Sequence, residues 1–276
     1  MAVVWLMREI RFSIDRDWAG AARGAEGFER AHPISNSWGG WPSAVGVAPY
    51  LALRARVSGT PDAVTGYLVN IHEIDRLLRE RALPAAARRL RASGARTTGE
   101  ALLAEVWREA EGHVPSPARL EALELRTTPY LNYSIERGRT GMVRVTQMFE
   151  FSAAHRLHVS ALSAEENRRV FGKCNNLHGH GHNYQVEVSV IGEPDGASGC
   201  VVSLPGFEET VKREVIDRLD HKHLNVDCPE FAGVNPSVEN IAVVVWGLLE
   251  GRFGAARLES VRVWETAKTY AEYRGR

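Results

Sequence analysis

The same succession of segments occurs twice, at a nearly constant spacing, and this limits the fold more than any composition figure does. TPDAVTG at 60–66 is matched by EPDGASG at 193–199, TGEALLAEVW at 98–107 by SVENIAVVVW at 237–246, and LEALEL at 120–125 by LESVRV at 258–263. Phe12-Ser13 faces Phe151-Ser152, and the offset stays between 133 and 139 residues throughout. Between these anchors each half alternates apolar and polar residues as strands do, at 3–14, 49–59 and 120–135 and again at 142–155, 183–192 and 258–273. Apolar residues at helical spacing fill the middle of each half. Ile74, Leu77, Leu78, Leu83 and Leu90 mark a helix over 72–92, and a second follows the entry Thr97-Thr98-Gly99-Glu100. Residues 205–219 and a helix opened by Pro236-Ser237 repeat this, with CVVSL running on from the 193–199 turn, while 17–46 reads as a long loop. The order β-β-α-α-β-β occurs twice, and a duplication is expected.

Composition removes several function classes. With 34 basic and 34 acidic residues there is no electrostatic surplus for nucleic-acid phosphates. No apolar run reaches the roughly 18 to 20 residues of a membrane span, and MAVVWLMREIRF is charged too early for a secretory signal. Three cysteines, Cys174, Cys200 and Cys228, suit a reducing cytoplasm better than a disulfide framework.

The two halves differ where chemistry would sit. Cys174-Asn175-Asn176-Leu177-His178-Gly179-His180-Gly181-His182-Asn183-Tyr184 alternates histidine with glycine just ahead of a strand. Alternate residues of a strand share a face, so His180 and His182 can reach one ion, with His155 at the end of the preceding strand as a third imidazole. Three neutral imidazoles suit zinc with the fourth position open to water or substrate. His178 is a ligand candidate by the same spacing, and Cys174 could close the site as a structural one; His158 reads as an ordinary surface or core histidine. A thiol beside a metal or an imidazolium can act as base or nucleophile. Cys200, in an apolar run, and Cys228, beside a proline, read as inert. Asp220-His221 after a helix could relay protons, and Glu265, in the strand VRVWET, could read an N–C–N edge through two hydrogen bonds. In the first half His155 is matched by Arg16, His180 and His182 by Gly46 and Ala48, Asp220 and His221 by Ala86 and Ala87, and Glu265 by Thr127.

These residues bear a resemblance. CNNLHGHGHNY is similar to the signature of the 6-pyruvoyl-tetrahydropterin synthase family, FSAAHRL to the strand supplying its first zinc histidine, LDHKHLNVD to its Asp-His-Lys loop, and VWET to its pterin-anchoring strand. The likeness spans 143–276; residues 1–140 join it only through the repeat. It implies an α+β tunnelling fold, here as tandem lobes 1–140 and 141–276, each an antiparallel four-stranded sheet with two helices on one face. It implies zinc held by His155, His180 and His182, with Cys174 as the proton-abstracting base and Asp220 and His221 as a relay. Glu265 would anchor the pterin, and Ser237 and Glu239 would contact it. The implied reaction converts 7,8-dihydroneopterin triphosphate to 6-pyruvoyl-tetrahydropterin with loss of triphosphate. The implied assembly is a homo-oligomer in which three chains replace six single-lobe subunits.

The 6-carboxy-tetrahydropterin synthases of the queuosine pathway use the same substrate and release acetaldehyde. The long spacing from Cys174 to His180 favours the pyruvoyl type, whereas His223 and Asn225 lean toward the carboxy type. A variant that makes 6-hydroxymethyl-dihydropterin tends to have Glu where this sequence has Cys174. A non-catalytic pterin-binding scaffold is the alternative from another class; a zinc hydrolase lacks support, since no H-E-x-x-H-like motif is present.

Overall fold

The computed structural model describes residues 2–13, 50–93 and 97–276. The loop expected over 17–46, with Arg16, Gly46 and Ala48, lies outside the described residues. The chain forms two compact units, one of residues 1–144 with Glu193–Cys200, the other of Val145–Gly192 with Val201–Arg276.

In the first unit, β1 (Val4–Ser13), β2 (Tyr50–Gly59), β3 (Arg119–Arg126) and β4 (Leu131–Glu136) pair antiparallel in sequence order. Strand alternation gives the sheet one apolar face. Ile10, Phe12, Leu53, Val57, Leu123 and Leu125 are buried there with Ile74, Leu78, Leu103 and Val106 from the helices. Removal from water stabilises the fold by about 1.5–3 kcal/mol for each such residue. The helices are α1 (Ile71–Leu77), α2 (Leu83–Ser93) and α3 (Gly99–Glu111). The single helix expected over 72–92 contains one wide π turn, Leu78–Ala82, in which the Leu83 N–H reaches back five residues to the Leu78 carbonyl.

The second unit has the order β5 (Val143–His155), β6 (His180–Gly192), β8 (Arg257–Thr266) and β9 (Thr269–Tyr273), with β6–β8 and β8–β9 antiparallel. Phe151, Tyr184, Val186, Val188 and Val261 are buried with Phe207, Val211, Val215, Ile241 and Val245 of the helices. These helices are α5 (Leu204–Val211), a second π turn Lys212–Ile216, α6 (Asp217–Leu219) and α8 (Val238–Leu249). Cys200–Ser203 does not run on as a strand: Ser203 already caps α5 by accepting the Gly206 N–H.

Two additions depart from the expected four strands and two helices. One is α4 (Ala164–Phe171), opened by a capping box in which Ser163 and Glu166 each accept the other's backbone N–H. The other is β7 (Lys222–His223), a fifth strand parallel to β5, followed by α7 (Leu224–Asp227). Two hydrogen bonds hold it there: Ser152 N–H donates to Asp220 Oδ1 at 2.8 Å, and His221 N–H donates to the Ser152 carbonyl at 2.6 Å.

The units share small devices at the offsets read from the sequence. Each has its π turn at the same place, a polar cap before the helix that leads into that turn (Asn70, Ser203) and before its last helix (Thr98, Ser237), and a bulge in its second strand, at Arg56/Val57 and Ser189/Val190. The cross-strand partners Arg54 and Glu124 of the first unit correspond to Glu187 and Arg262 of the second, where the same ion pair has its charges exchanged.

Asn167 is fully buried and pins the segment between β5 and α4. Its amide donates to the carbonyls of Val159, Leu162 and Ser163 and accepts the Val159 N–H. Asn167→Ala strands these groups away from water and is expected to destabilise the protein by about 2–4 kcal/mol, read as a lower denaturation midpoint in urea.

Candidate metal centre and active site

His155 ends β5, and His180 and His182 open β6. β6 begins at His180, three residues before the expected strand, so His180 and His182 share a face and His178 stays outside it. Gly179 takes φ +74° directly before His180, and any side chain there would run into His223 Nε2 and the His155 carbonyl. The three imidazoles converge with ring centroids 4.5 to 5.2 Å apart.

A fourth donor joins them. Glu265 Oε1 lies 3.2 Å from His155 Nε2 and 3.3 Å from His182 Nε2. Ligand atoms of His155, His180, His182 and Glu265 all lie within 4.8 Å of one another. The carboxylate read from the sequence as a pterin anchor thus lies beside the histidines.

The protonation pattern follows from one bond. His155 is fully buried, and its Nδ1 lies 2.7 Å from the Pro236 carbonyl, which can only accept. Nδ1 therefore holds the proton and Nε2 a lone pair. That lone pair faces His180 Nε2 at 3.1 Å, while His180 Nδ1 and His182 Nε2 are buried without a hydrogen-bond partner among the described residues. Burial holds the pKa of His155 below the usual imidazole range, the Pro236 bond opposing it; burial and then His182 do the same to His180. Neutral imidazoles with converging lone pairs and one carboxylate form a donor set that fits a divalent cation such as zinc.

Cys174 lies in the turn between α4 and β6 and lines an open pocket with Gly172, Lys173, Asn175, Asn176 and His180. Its carbonyl accepts the Leu157 N–H at 2.9 Å, and Asn175 Nδ2 donates to the Leu157 carbonyl at 2.7 Å and meets His158 Nδ1 at 3.1 Å. His158 thus has a structural partner and stands outside the cluster.

Asp220 and His221 form a hydrogen-bonded pair, Oδ2 to Nδ1 at 2.8 Å. The Ser152 N–H and, less strongly, His221 hold the Asp220 carboxyl below the usual carboxylate range. His221 adopts φ +56° and its side chain is 83% exposed. Among the described residues the pair makes no hydrogen bond to Cys174. Ser237 caps α8, with Glu239 exposed on the first turn, one and three residues after the carbonyl that holds His155. Residues not anticipated from the sequence are Pro236, Tyr184, which stacks on Phe151 at 4.9 Å and meets His155 and His182 edge-on, and Asn183, which accepts from Ser152 Oγ. The even spacing of Tyr184 from His182 is the available signal for its place beneath the ligands.

A family model described as 6-pyruvoyl tetrahydropterin synthase matches residues 144–276. The human 6-pyruvoyl tetrahydrobiopterin synthase is 43% identical over 138 residues, covering 50% of this chain and 95% of its own length. The chain belongs to the 6-pyruvoyl tetrahydropterin synthase family. It is therefore an enzyme of the lyase class. A solved Caenorhabditis elegans 6-pyruvoyl tetrahydropterin synthase matches with 37% identity and a TM-score of 0.46, covering 49% of this chain and 96% of that one. A 6-carboxy-5,6,7,8-tetrahydropterin synthase from Haemophilus influenzae is 26% identical over 155 residues, covering 48% of this chain and 99% of its own length. No helix among the described residues is long and apolar enough to cross a membrane.

The metal-free protein should lose stability as pH falls. His155 and His180 have folded-state pKa values below the ordinary 6.5, so below that pH the unfolded polypeptide binds protons the folded one does not. Thermal melts of chelator-treated protein should be level above about pH 7 and fall as pH drops below the histidine range, with His180→Gln flattening the slope.

Proposed function

We propose that this enzyme converts 7,8-dihydroneopterin triphosphate to 6-pyruvoyl-tetrahydropterin with elimination of triphosphate. The observation that supports the reading most is the convergence of His155, His180, His182 and Glu265 beside a pocket lined by Cys174. The three histidines and Glu265 would hold a zinc ion, which when bound supplies Lewis acidity toward the hydroxyls of the pterin's substituent. With Glu265 in that donor set, the pterin ring falls to Ser237 and Glu239 at the start of α8, in place of the anchoring role expected of Glu265.

Cys174 would remove the carbon-bound proton of that substituent; its pocket is shared with His180, so base and ligand address the same substrate atoms. Asp220 orients His221 through the 2.8 Å bond, and the pair would pass protons on. Because the pair makes no bond to Cys174 of its own protomer, we assign it to the site of a neighbouring copy in a homo-oligomer, three chains taking the place of six single-lobe subunits.

We read the polypeptide as a tandem duplication, lobe 1–140 having lost the zinc and catalytic residues and lobe 141–276 having kept them. Support comes from the π turns, caps, bulges and exchanged ion pair that recur at the repeat's offsets. The 6-carboxy reaction is the second reading, favoured by His223 and Asn225; the higher identity to the human pyruvoyl enzyme favours the first.

Mass spectrometry of the products decides between them: 6-pyruvoyl-tetrahydropterin and triphosphate are expected, and acetaldehyde with 6-carboxy-tetrahydropterin would replace this reading with the second. Cys174→Ala should lower kcat at least a thousandfold while zinc content stays at the wild-type level. Near-normal turnover in that variant would remove Cys174 as the base.

A further inference from the structure

We propose that Asn225 and His223 are positioning residues: from one loop they fix the turn that carries Cys174 against the start of the strand that carries His180. The inference rests on the reading of Cys174 as the proton-abstracting base and adds what sets its place relative to the metal ligands.

The loop is firmly seated on β5. The Ser152 N–H donates to Asp220 Oδ1, the His221 N–H donates to the Ser152 carbonyl, and Lys222 and His223 pair with Ala153 and Ala154. Leu224 is fully buried, and the His223 N–H donates to Asp227 Oδ2 at 2.8 Å, which ties the two ends of α7 together.

Backbone pairing with β5 stops at Ala154, and the side chain of Asn225 takes it over. Its Oδ1 accepts the Arg156 N–H at 2.8 Å, and its Nδ2 donates to the Arg156 carbonyl at 3.0 Å. A primary amide presents an acceptor and a donor side by side, so one side chain binds both backbone groups of the residue that follows His155.

From Arg156 the hold passes to the base. Arg156 Nε donates to the Asn175 carbonyl at 3.3 Å, and the Leu157 N–H donates to the Cys174 carbonyl at 2.9 Å. Asn175 Nδ2 returns to the Leu157 carbonyl at 2.7 Å. Arg156 and Leu157 thus carry the turn, and Asn225 holds the first of them.

His223 works at the other end of the same stretch. Its ring lies against Gly179, where a Cβ would come within 2.7 Å of His223 Nε2 and 2.8 Å of the His155 carbonyl. Gly179, held at φ +74°, leads directly into His180. One loop therefore reaches the thiol through Arg156 and the ligand strand through Gly179, and Cys174 and His180 line one pocket. Proton removal needs the thiol aligned with a single C–H of the bound substrate, and a misplacement of about 1 Å costs up to about a hundredfold in rate. The bonds of Asn225 lie in an exposed region, so their loss leaves the Arg156 groups to water and shifts position more than stability.

The test uses full-length, zinc-loaded Asn225→Ala and His223→Ala. Each should lower kcat about tenfold with KM and zinc content close to wild type. Iodoacetamide should modify Cys174 about threefold faster in each, measured by peptide mass against Cys200 in the same chain, with the urea midpoint unchanged. Wild-type kcat together with an unchanged alkylation rate overturns the proposal. So does a loss of kcat that follows loss of zinc or a lowered urea midpoint, since the loop would then be structural only. Alkylation needs neither substrate nor turnover, so it decides the positioning role even where the pterin reaction itself fails.

Discussion

The bond from His155 Nδ1 to the Pro236 carbonyl governs the site. A carbonyl oxygen can only accept, so this contact places the ring proton on Nδ1 and leaves Nε2 bare in a fully buried position. The bare nitrogen faces His180 Nε2 at a distance that requires a proton or a cation between them. Burial keeps both rings from taking a second proton, so the gap is bridged by the one ring proton of neutral His180 or by a cation in its place. Glu265 adds a carboxylate to the three histidines, the negative charge that a divalent ion held there would need. The bond also ties the end of β5 to the start of α8, so the segment bearing Ser237 and Glu239 is held to His155.

The same coupling accounts for how little of the second unit is free to vary around the site. Gly179 is closed in by the His155 backbone and the His223 ring, and Tyr184 packs beneath two ligands while stacking on Phe151. Cys174 is held through its own carbonyl and through Asn175 against Leu157. The Asp220–His221 pair, in contrast, stands before β7 with its carboxylate bonded to the Ser152 N–H and the His221 ring exposed.

Much of this is legible in the residues. Alternation locates β1, β2 and the paired strands β3–β4 and β8–β9 to within a residue or two, because one-sided burial writes a period of two into the sequence. The spacing of His180 and His182 places both on one strand face for the same reason. The π turns are not legible: a helix with one extra residue per turn keeps its apolar stripe nearly intact, so Leu78–Ala82 and Lys212–Ile216 look like ordinary helix. The helix α4 shows itself only in the capping pair Ser163 and Glu166, because its apolar content is too small to mark a buried stripe. β7 leaves almost no signal, since two residues held by Ser152 have no periodicity.

What the sequence by itself determined is the recurring order of its segments, the two-faced strands and the place of His180 and His182 on one strand face. These are local or periodic properties, set by residue type and by the step length of strand and helix. Tertiary structure alone decided that Glu265 joins the histidines, that a proline carbonyl sets the tautomer of His155, and that Cys174 and the Asp220–His221 pair do not bond within one protomer. Each of these depends on segments tens of residues apart meeting at a few ångströms, and the order of neighbouring residues along a polypeptide encodes no distance of that kind.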